Sequence, residues 1–444
     1  MSESVKVKIR FGAVRPGLML VALALAGCVN GVGSQATKST SGQAGDPTAL
    51  PTAELTAKGE VRSTLIDDLQ TRRSILPPSG SYAQVASAVL EAGAGVAEAE
   101  LRVSRLKAEA RSRNWLPRIG PDVSLTSLSS VAASILVDQA LFDGGGRKAE
   151  RAHAAADVEV AAITLSTEAN KRVYDGLRHY LTARRASDQA AVSERSVSRL
   201  SEFERIMRLR VEGGLSDRSE ERVLSQKLAE MQAMASADRQ AASAALSELA
   251  AMTSRPLSGL TGIDALPADQ PAPEPLSVLR ARGEGARTLA EAQIARAGML
   301  PGISAKAGVG GNGLTGRLGL SGGNFGFGAA AEREALDATP DLVARRNQQA
   351  GEDAARRIAA LTAEMQSIQT REAQGAEVLR QTAGNLQMFT EQYKVGRRSL
   401  LELVNQYESF ARAERDQAAL KYLAADLRLQ IALERGVLVD GARM

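Results

Sequence analysis

The chain has 444 residues, 24% of them charged, and only 14 are aromatic, 3% of the total. Aromatic side chains bury about 150 to 250 Å² each and dominate ordinary cores, so this supply argues against a conventional large globular domain, while the Ala-rich apolar share favours long helices. The formal charge is +4, but Lys6, Lys8, Arg10 and Arg15 against Glu3 leave only +1 beyond residue 27, which excludes the basic face of a nucleic-acid binder. Two histidines, His153 and His179, and one cysteine, Cys28, make a histidine- or cysteine-built metal site or a Cys/His nucleophile pair very hard to assemble.

Residues 1–27 read as a signal peptide: a basic leader to Arg15, then the apolar run Leu18–Ala26, far short of the roughly 20 residues of a spanning helix. The run closes on Leu25-Ala26-Gly27-Cys28, which resembles the lipobox of bacterial lipoproteins. In that motif small residues admit the signal peptidase and the thiol receives diacylglycerol, so a covalent acyl lipid such as palmitate is expected on Cys28 and no other cofactor. An ordinary signal sequence with an incidental cysteine is the alternative. Lipoprotein sorting commonly retains an aspartate at the next position in the inner membrane, and Val29 there points to the outer membrane. Such a terminus anchors rather than spans.

Residues 28–80 are expected to be a lipid-anchored tether. Asn30–Pro51 is rich in Gly, Ser, Thr and Ala, a flexible composition, and Pro77-Pro78-Ser79-Gly80 marks a boundary. A short helix within Thr56–Ile75 is read without a role.

From Tyr82 the chain reads helix, two strands, very long helix, turn, long helix, and then repeats. Leu116-Pro117 recurs as Leu300-Pro301 and the turn at Gly214 recurs at Gly396, offsets of 184 and 182; two such close offsets indicate duplication. The first repeat is assigned to 81–254, the Pro-rich linker to 255–275, the second repeat to 276–438 and a C-terminal tail to 439–444. Arg147–Val211 holds no proline and one glycine, so a continuous helix there would extend about 100 Å at 1.5 Å per residue. The following helix sets Leu224, Leu228, Met231, Ala235, Asp238, Ala242, Ala245, Leu249 and Met252 at alternating steps of four and three, a heptad seam with one charged member. Val404, Tyr407, Ala411, Glu414, Ala418, Tyr422, Ala425, Leu429 and Ala432 form a similar, less regular seam interrupted by Glu414.

The strands are expected at about 119–128 and 132–142, then 302–310 and 314–321. Ile303, Ala305, Ala307 and Val309 alternate with polar or small residues, as do Leu314, Leu318 and Leu320, and Gly311-Asn312-Gly313 joins them as a hairpin turn. Four strands cannot shield their edges in lipid, so the chain must oligomerise. Strands of about nine residues match a tilted crossing of the hydrocarbon layer, with Lys306 and Arg317 toward a wet lumen. A soluble hairpin packed on helices is the alternative.

The lipoprotein leader, the duplicated order and the coiled coils together resemble the TolC-type outer-membrane efflux family. Leu141-Phe142-Asp143-Gly144-Gly145 is similar to that family's strand-to-helix joint, and Tyr393-Lys394-Val395-Gly396-Arg397-Arg398-Ser399-Leu400-Leu401-Glu402-Leu403 to its second helical turn. Val211-Glu212-Gly213-Gly214 is a looser match to the first turn. The resemblance covers about residues 82–438. It implies a mainly α fold with a small β part: a homotrimer with a twelve-stranded transmembrane β-barrel on a long periplasmic α-helical barrel. It further implies a passive exit duct in the Gram-negative outer membrane, docked to a periplasmic adaptor (membrane fusion protein) and an inner-membrane ABC or RND-type pump, for efflux or type I secretion. Gly214, Glu220, Gly396, Ser399, Leu400 and Glu402 become the adaptor-facing rim and gate. In the family an acidic pair follows the second turn; Glu402 fills the first position and Asn405 the second, so a weakened acidic ring is expected. Glu220 reads equally well as a helix-start carboxylate favoured by the dipole. Trp115, Phe142, Phe325 and Phe327 are the expected membrane-interface aromatics.

Several patterns carry no chemistry. Asp143-Gly144-Gly145-Gly146-Arg147-Lys148 lacks P-loop spacing, and no helix follows Gly308–Gly313 as a dinucleotide site requires. His153 and His179 lack acidic partners at ligand spacing. No catalytic constellation is present, and an enzyme is not expected. The competing non-enzymatic reading is a lipid-anchored periplasmic coiled-coil adaptor or scaffold without a pore.

Overall fold

Long Ala-rich stretches, with Pro340 the one proline inside the two longest helices, set the scale of the molecule. The computed structural model describes residues 53–93, 95–127, 130–257, 259–267, 272–310, 313–321 and 326–443. The signal peptide, Leu25, Ala26, Gly27 and Cys28, the Asn30–Pro51 tether, Asn312 and Phe325 lie outside the described residues.

Ala53–Leu55 (β1) and Val61–Ser63 (β2) form a small antiparallel hairpin that leads into Thr64–Thr71 (α1). Ser81–Glu91 (α2) and Gly95–Ser112 (α3) precede Arg118–Ser127 (β3) and Ser130–Phe142 (β4). Gly146–Glu212 (α4) runs 67 residues, and Arg218–Met252 (α5) returns along it. The order then recurs as Leu276–Gly298 (α6), Gly302–Gly310 (β5), Gly313–Ser321 (β6), the 66-residue Ala329–Lys394 (α7) and Leu400–Glu434 (α8). The copies differ at their start, where two helices stand in the first and one in the second.

The four long strands form one antiparallel sheet ordered β3-β4-β5-β6. The repeats are therefore joined edge to edge, by β4 against β5, while β3 and β6 each have one edge unpaired among the described residues.

The helices pack through small residues. In α5, Leu224, Met231, Ala235, Asp238, Ala242, Ala245 and Leu249 are the buried positions, the seam drawn by the heptad spacing. In α8, Val404, Ala411, Tyr422, Ala425, Leu429 and Ala432 are buried, and so is a second stripe, Leu420, Ala424 and Leu427, which packs with Ile368 of α7. The charged seam members are paired across helices. Asp238 of α5 accepts from Arg415 of α8 at 2.5 and 3.2 Å and from Ser193 Oγ of α4 at 3.3 Å, and Glu414 of α8 accepts from Arg195 of α4 at 2.7 Å. In contrast, Val343, Ala354 and Ile368 are the only buried residues along α7.

Midway along the helices a belt of short elements ties the chain together, and here two domain boundaries drawn from the sequence shift. The tether drawn to residue 80 gives way at Ala53 to folded structure: Leu65 and Leu69 of α1 pack with Ile163, Leu276 and Leu279. Buried Arg72 binds Asp68, the Arg435 carbonyl at 2.6 Å and the Glu274 carbonyl at 2.8 Å. The region drawn as a tail from 439 is also docked, with Val439 buried and Gly441 N donating to Arg72 O. Asn170 of α4 accepts from the Leu438 and Val439 amides through Oδ1 at 2.8 and 3.3 Å. The linker packs as well: Asp264 Oδ2 accepts from Tyr82 N at 2.7 Å at the start of α2, which otherwise has no side-chain cap. These contacts link distant segments through buried polar groups, which hydropathy periodicity does not report.

Candidate functional site

Sheet register separates the strands into two faces. Because residues directly opposite in a ladder point the same way and alternate along each strand, Ile119, Val137 and Ala307 share one face. Gln139, Ala305 and Leu318 continue it, followed by Phe142, Ile303 and Leu320. Ile119, Leu318 and Leu320 are 71%, 77% and 83% exposed, part of a largely apolar wall that nothing among the described residues covers. The opposite face carries one row across all four strands: Arg118 of β3 pairs with Asp138 of β4, Asp138 with Lys306 of β5, and Lys306 with Arg317 of β6. Lys306 Nζ lies 3.8 Å from Asp138 Oδ2. Lys306 and Arg317, singled out as lumen residues, are thus cross-strand neighbours on one face. Arg118 and Asp138 complete the row and were missed. The signal was present in the alternation of the first hairpin, but a row across strands needs the register, and the register between the repeats is not written in either copy.

At the helix-proximal end of the sheet, Trp115, Phe142 and Phe327 are all more than half exposed. The strand-to-helix joint explains the Asp-Gly-Gly pattern. Asp143 accepts from Gly145 N at 3.1 Å and Arg147 N at 2.8 Å, which satisfies amides at the start of α4, and Gly144 and Gly145 take positive φ of 61° and 90° to make the bend.

The far ends of the helices carry two turns of the same geometry. Leu215 N donates to Arg210 O at 2.7 Å and Gly214 N to Val211 O; Arg397 N donates to Gln392 O at 2.9 Å and Gly396 N to Tyr393 O. Each is the six-to-one closure of a Schellman motif, with the glycine in the left-handed region, at φ 66° for Gly214 and 72° for Gly396. Asp217 then caps α5 by accepting from Ser219 N, and Ser399 caps α8 in a reciprocal capping box with Glu402. Glu220 sits in the first turn of α5 beside Glu221, where the helix dipole favours a carboxylate.

Glu402 is engaged rather than free. Its Oε2 accepts from Ser399 N at 2.9 Å and its Oε1 from Arg398 at 2.8 Å. The Ser399 amide and the Arg398 guanidinium hold its carboxyl below the ordinary value. Arg398 also lies over the Phe389 ring at 4.6 Å. Leu400, expected on the rim, is buried at 3% exposure with Leu403, Val404, Phe203 and Met207. An apolar residue at the first helical position closes the core under the turn. The exposed tip is instead made by Leu215, 72% exposed, and Val395, 68% exposed, apolar residues flanking the two glycines that sequence reading passed over. Phe203 and Tyr407 stack edge to face at 5.9 Å just behind the turns.

His153 does have acidic neighbours: its Nδ1 lies 3.3 Å from Asp157 and its Nε2 3.1 Å from Glu291 on α6. Asp157 is one helical turn away and was overlooked; Glu291 comes from another helix. Among the described residues no group of three or more His, Cys, Asp or Glu could hold a metal ion, and no helix is long and apolar enough to cross a membrane.

No family model matches the chain, and no curated protein does. Solved structures do. The outer-membrane channel OprN superposes with a TM-score of 0.71 at 16% identity, covering 90% of this chain and 99% of that one. The open state of the Neisseria gonorrhoeae MtrE outer-membrane channel gives 0.67 at 16% identity over 90% and 99%. The Vibrio cholerae outer-membrane protein VceC gives 0.69 at 14% identity over 80% and 96%. The chain therefore has the fold of the TolC-type outer-membrane channels, spanning nearly the whole length of those proteins.

Proposed function

We propose that this chain is an outer-membrane exit duct. Three copies join β6 of one to β3 of the next, closing a twelve-stranded barrel, and the helices form a long periplasmic tunnel. The observation that carries the reading is the sheet itself: a bare apolar face, a charged opposite face, and unpaired edges at β3 and β6, which lipid does not tolerate. The exposed length of α7 supports assembly, since a helix of that length needs a second packing surface. A pore-less adaptor would carry one hairpin flanked by soluble β domains; one four-stranded sheet built from both repeats argues against it.

In this reading Leu215, Gly214, Val395, Gly396 and Ser399 form the tip that meets a periplasmic adaptor, with Glu220 and Glu402 at the adjoining helix starts. An inner-membrane ABC or RND-type pump supplies the energy, and the genes beside this one distinguish the two. Cys28 carries the acyl anchor, and the protein resides in the outer membrane of a Gram-negative cell; Cys28→Ser loses labelling by radioactive palmitate. The test of the duct is the mass of the full-length protein extracted from membranes in mild detergent. Three copies per particle, recovered with the outer-membrane fraction, are expected; a soluble monomer overturns the proposal.

A further inference from the structure

Within the barrel just proposed, the row Arg118–Asp138–Lys306–Arg317 has a consequence for cargo. We propose that it forms a cationic collar on the lumen wall, running from the helix-proximal start of β3 to the middle of β5 and β6, which favours anionic solutes. The inference rests on the duct reading, and four observations carry it. Register places the four residues side by side on the face opposite the apolar wall. They supply three cations to one anion per chain, so every repeat of the ring has an excess of two positive charges. Lys306 and Asp138 meet at 3.8 Å while both remain well exposed, at 46% and 37%, so their pairing is weak and cancels only one cation. The same face is otherwise small or uncharged near the row: Gly308 and Thr315 pair on one side of it, Ser304 and Gly319 on the other. The backbone position of Asp122, the other acid in this sheet, pairs with Ser134 four residues further along β3, roughly 13 Å along the strand at about 3.3 Å per residue. That exceeds the Debye length of about 8 Å at physiological salt.

Dimensions make such a ring effective. Twelve strands about 4.8 Å apart and tilted about 40° close a cylinder roughly 24 Å across. Side chains reaching inward leave no passing solute much beyond about 8 Å, one Debye length, from the wall. A low-dielectric wall focuses the field of a single-sign ring into the lumen and raises the local concentration of counter-ions. Chloride and phosphate-bearing or carboxylate-bearing solutes would be enriched there.

The test is the chloride-to-potassium permeability ratio, read from reversal potentials of the full-length protein in planar bilayers under a KCl gradient. Comparing variants isolates the collar from whatever selectivity the helical tip imposes. Lys306→Gln with Arg317→Gln should lower the ratio several-fold, Asp138→Asn should raise it, and both shifts should shrink as salt is raised. Conducting channels whose ratio is unchanged in both variants, or shifts the wrong way, overturn the collar and leave the duct standing. Protein that forms no channel overturns the duct reading and the collar with it.

Discussion

Glu402 shows how a carboxylate proposed for the rim can be claimed by its own helix. Held by the Ser399 amide and Arg398, its ionised form is favoured and its pKa is lowered from 4.5. A depressed pKa contributes stability that is fully present above the unfolded value and lost as pH falls through the folded one. Acidifying from pH 4.5 downward should therefore progressively loosen the start of α8. Hydrogen exchange of the 400–403 amides, corrected for intrinsic pH dependence, should quicken in the native protein and be pH-independent in Glu402→Gln. Equal behaviour of the two would remove the carboxylate from the cap. Asp238 is the other residue whose setting changes its meaning. A lone charge in a heptad seam reads as a flaw, but Arg415 and Ser193 satisfy it. Asp238→Asn should cost about 1–2 kcal/mol, tempered by the partial exposure of Arg415. Asp238→Leu with Arg415→Met should restore most of it, because a well-packed apolar pair can replace a buried ion pair. Chemical denaturation measures both, and an unaffected Asp238→Asn variant would show the pair to be dispensable.

Among the elements, the long helices, the strands and the two turns were legible because each rests on local pattern: long Ala-rich runs with little proline (Pro340 alone stands inside α7), period-two alternation, and a glycine after a helical run. The small belt was not. β1, β2, α1, the packed linker and the docked C-terminal residues are held by Arg72, Asn170 and Asp264 reaching backbone groups far along the chain, and no periodicity announces such contacts. The turns themselves were located correctly while their exposed residues were misassigned: Leu400 turned inward and Leu215 and Val395 outward, because a turn's geometry, not its composition, decides which neighbours of the glycine are covered. Gly396 at φ 72° gives an element-scale prediction. A β-branched residue in the left-handed region costs roughly 1–2 kcal/mol and would re-aim the tip. Gly396→Val should abolish export, followed as retention of cargo by cells, while leaving trimers in the outer membrane at normal abundance; undiminished export would separate this turn from docking and gating.

At the scale of the whole molecule, the scarcity of aromatic residues becomes intelligible. Helices packed through Ala leave little thick core for large rings to fill, and the rings among the described residues gather at the helix-proximal end of the sheet, in the belt and behind the turns. The two copies meet along β4 and β5, and the edges left over, β3 and β6, face no partner among the described residues. In the proposed duct, lipid covers the apolar sheet face and further copies pair the two edges. Purified full-length protein reconstituted into planar lipid bilayers tests this most directly. Discrete, reproducible conductance steps from an assembled trimer are predicted, whereas a monomer that leaves the bilayer silent would contradict the channel outright.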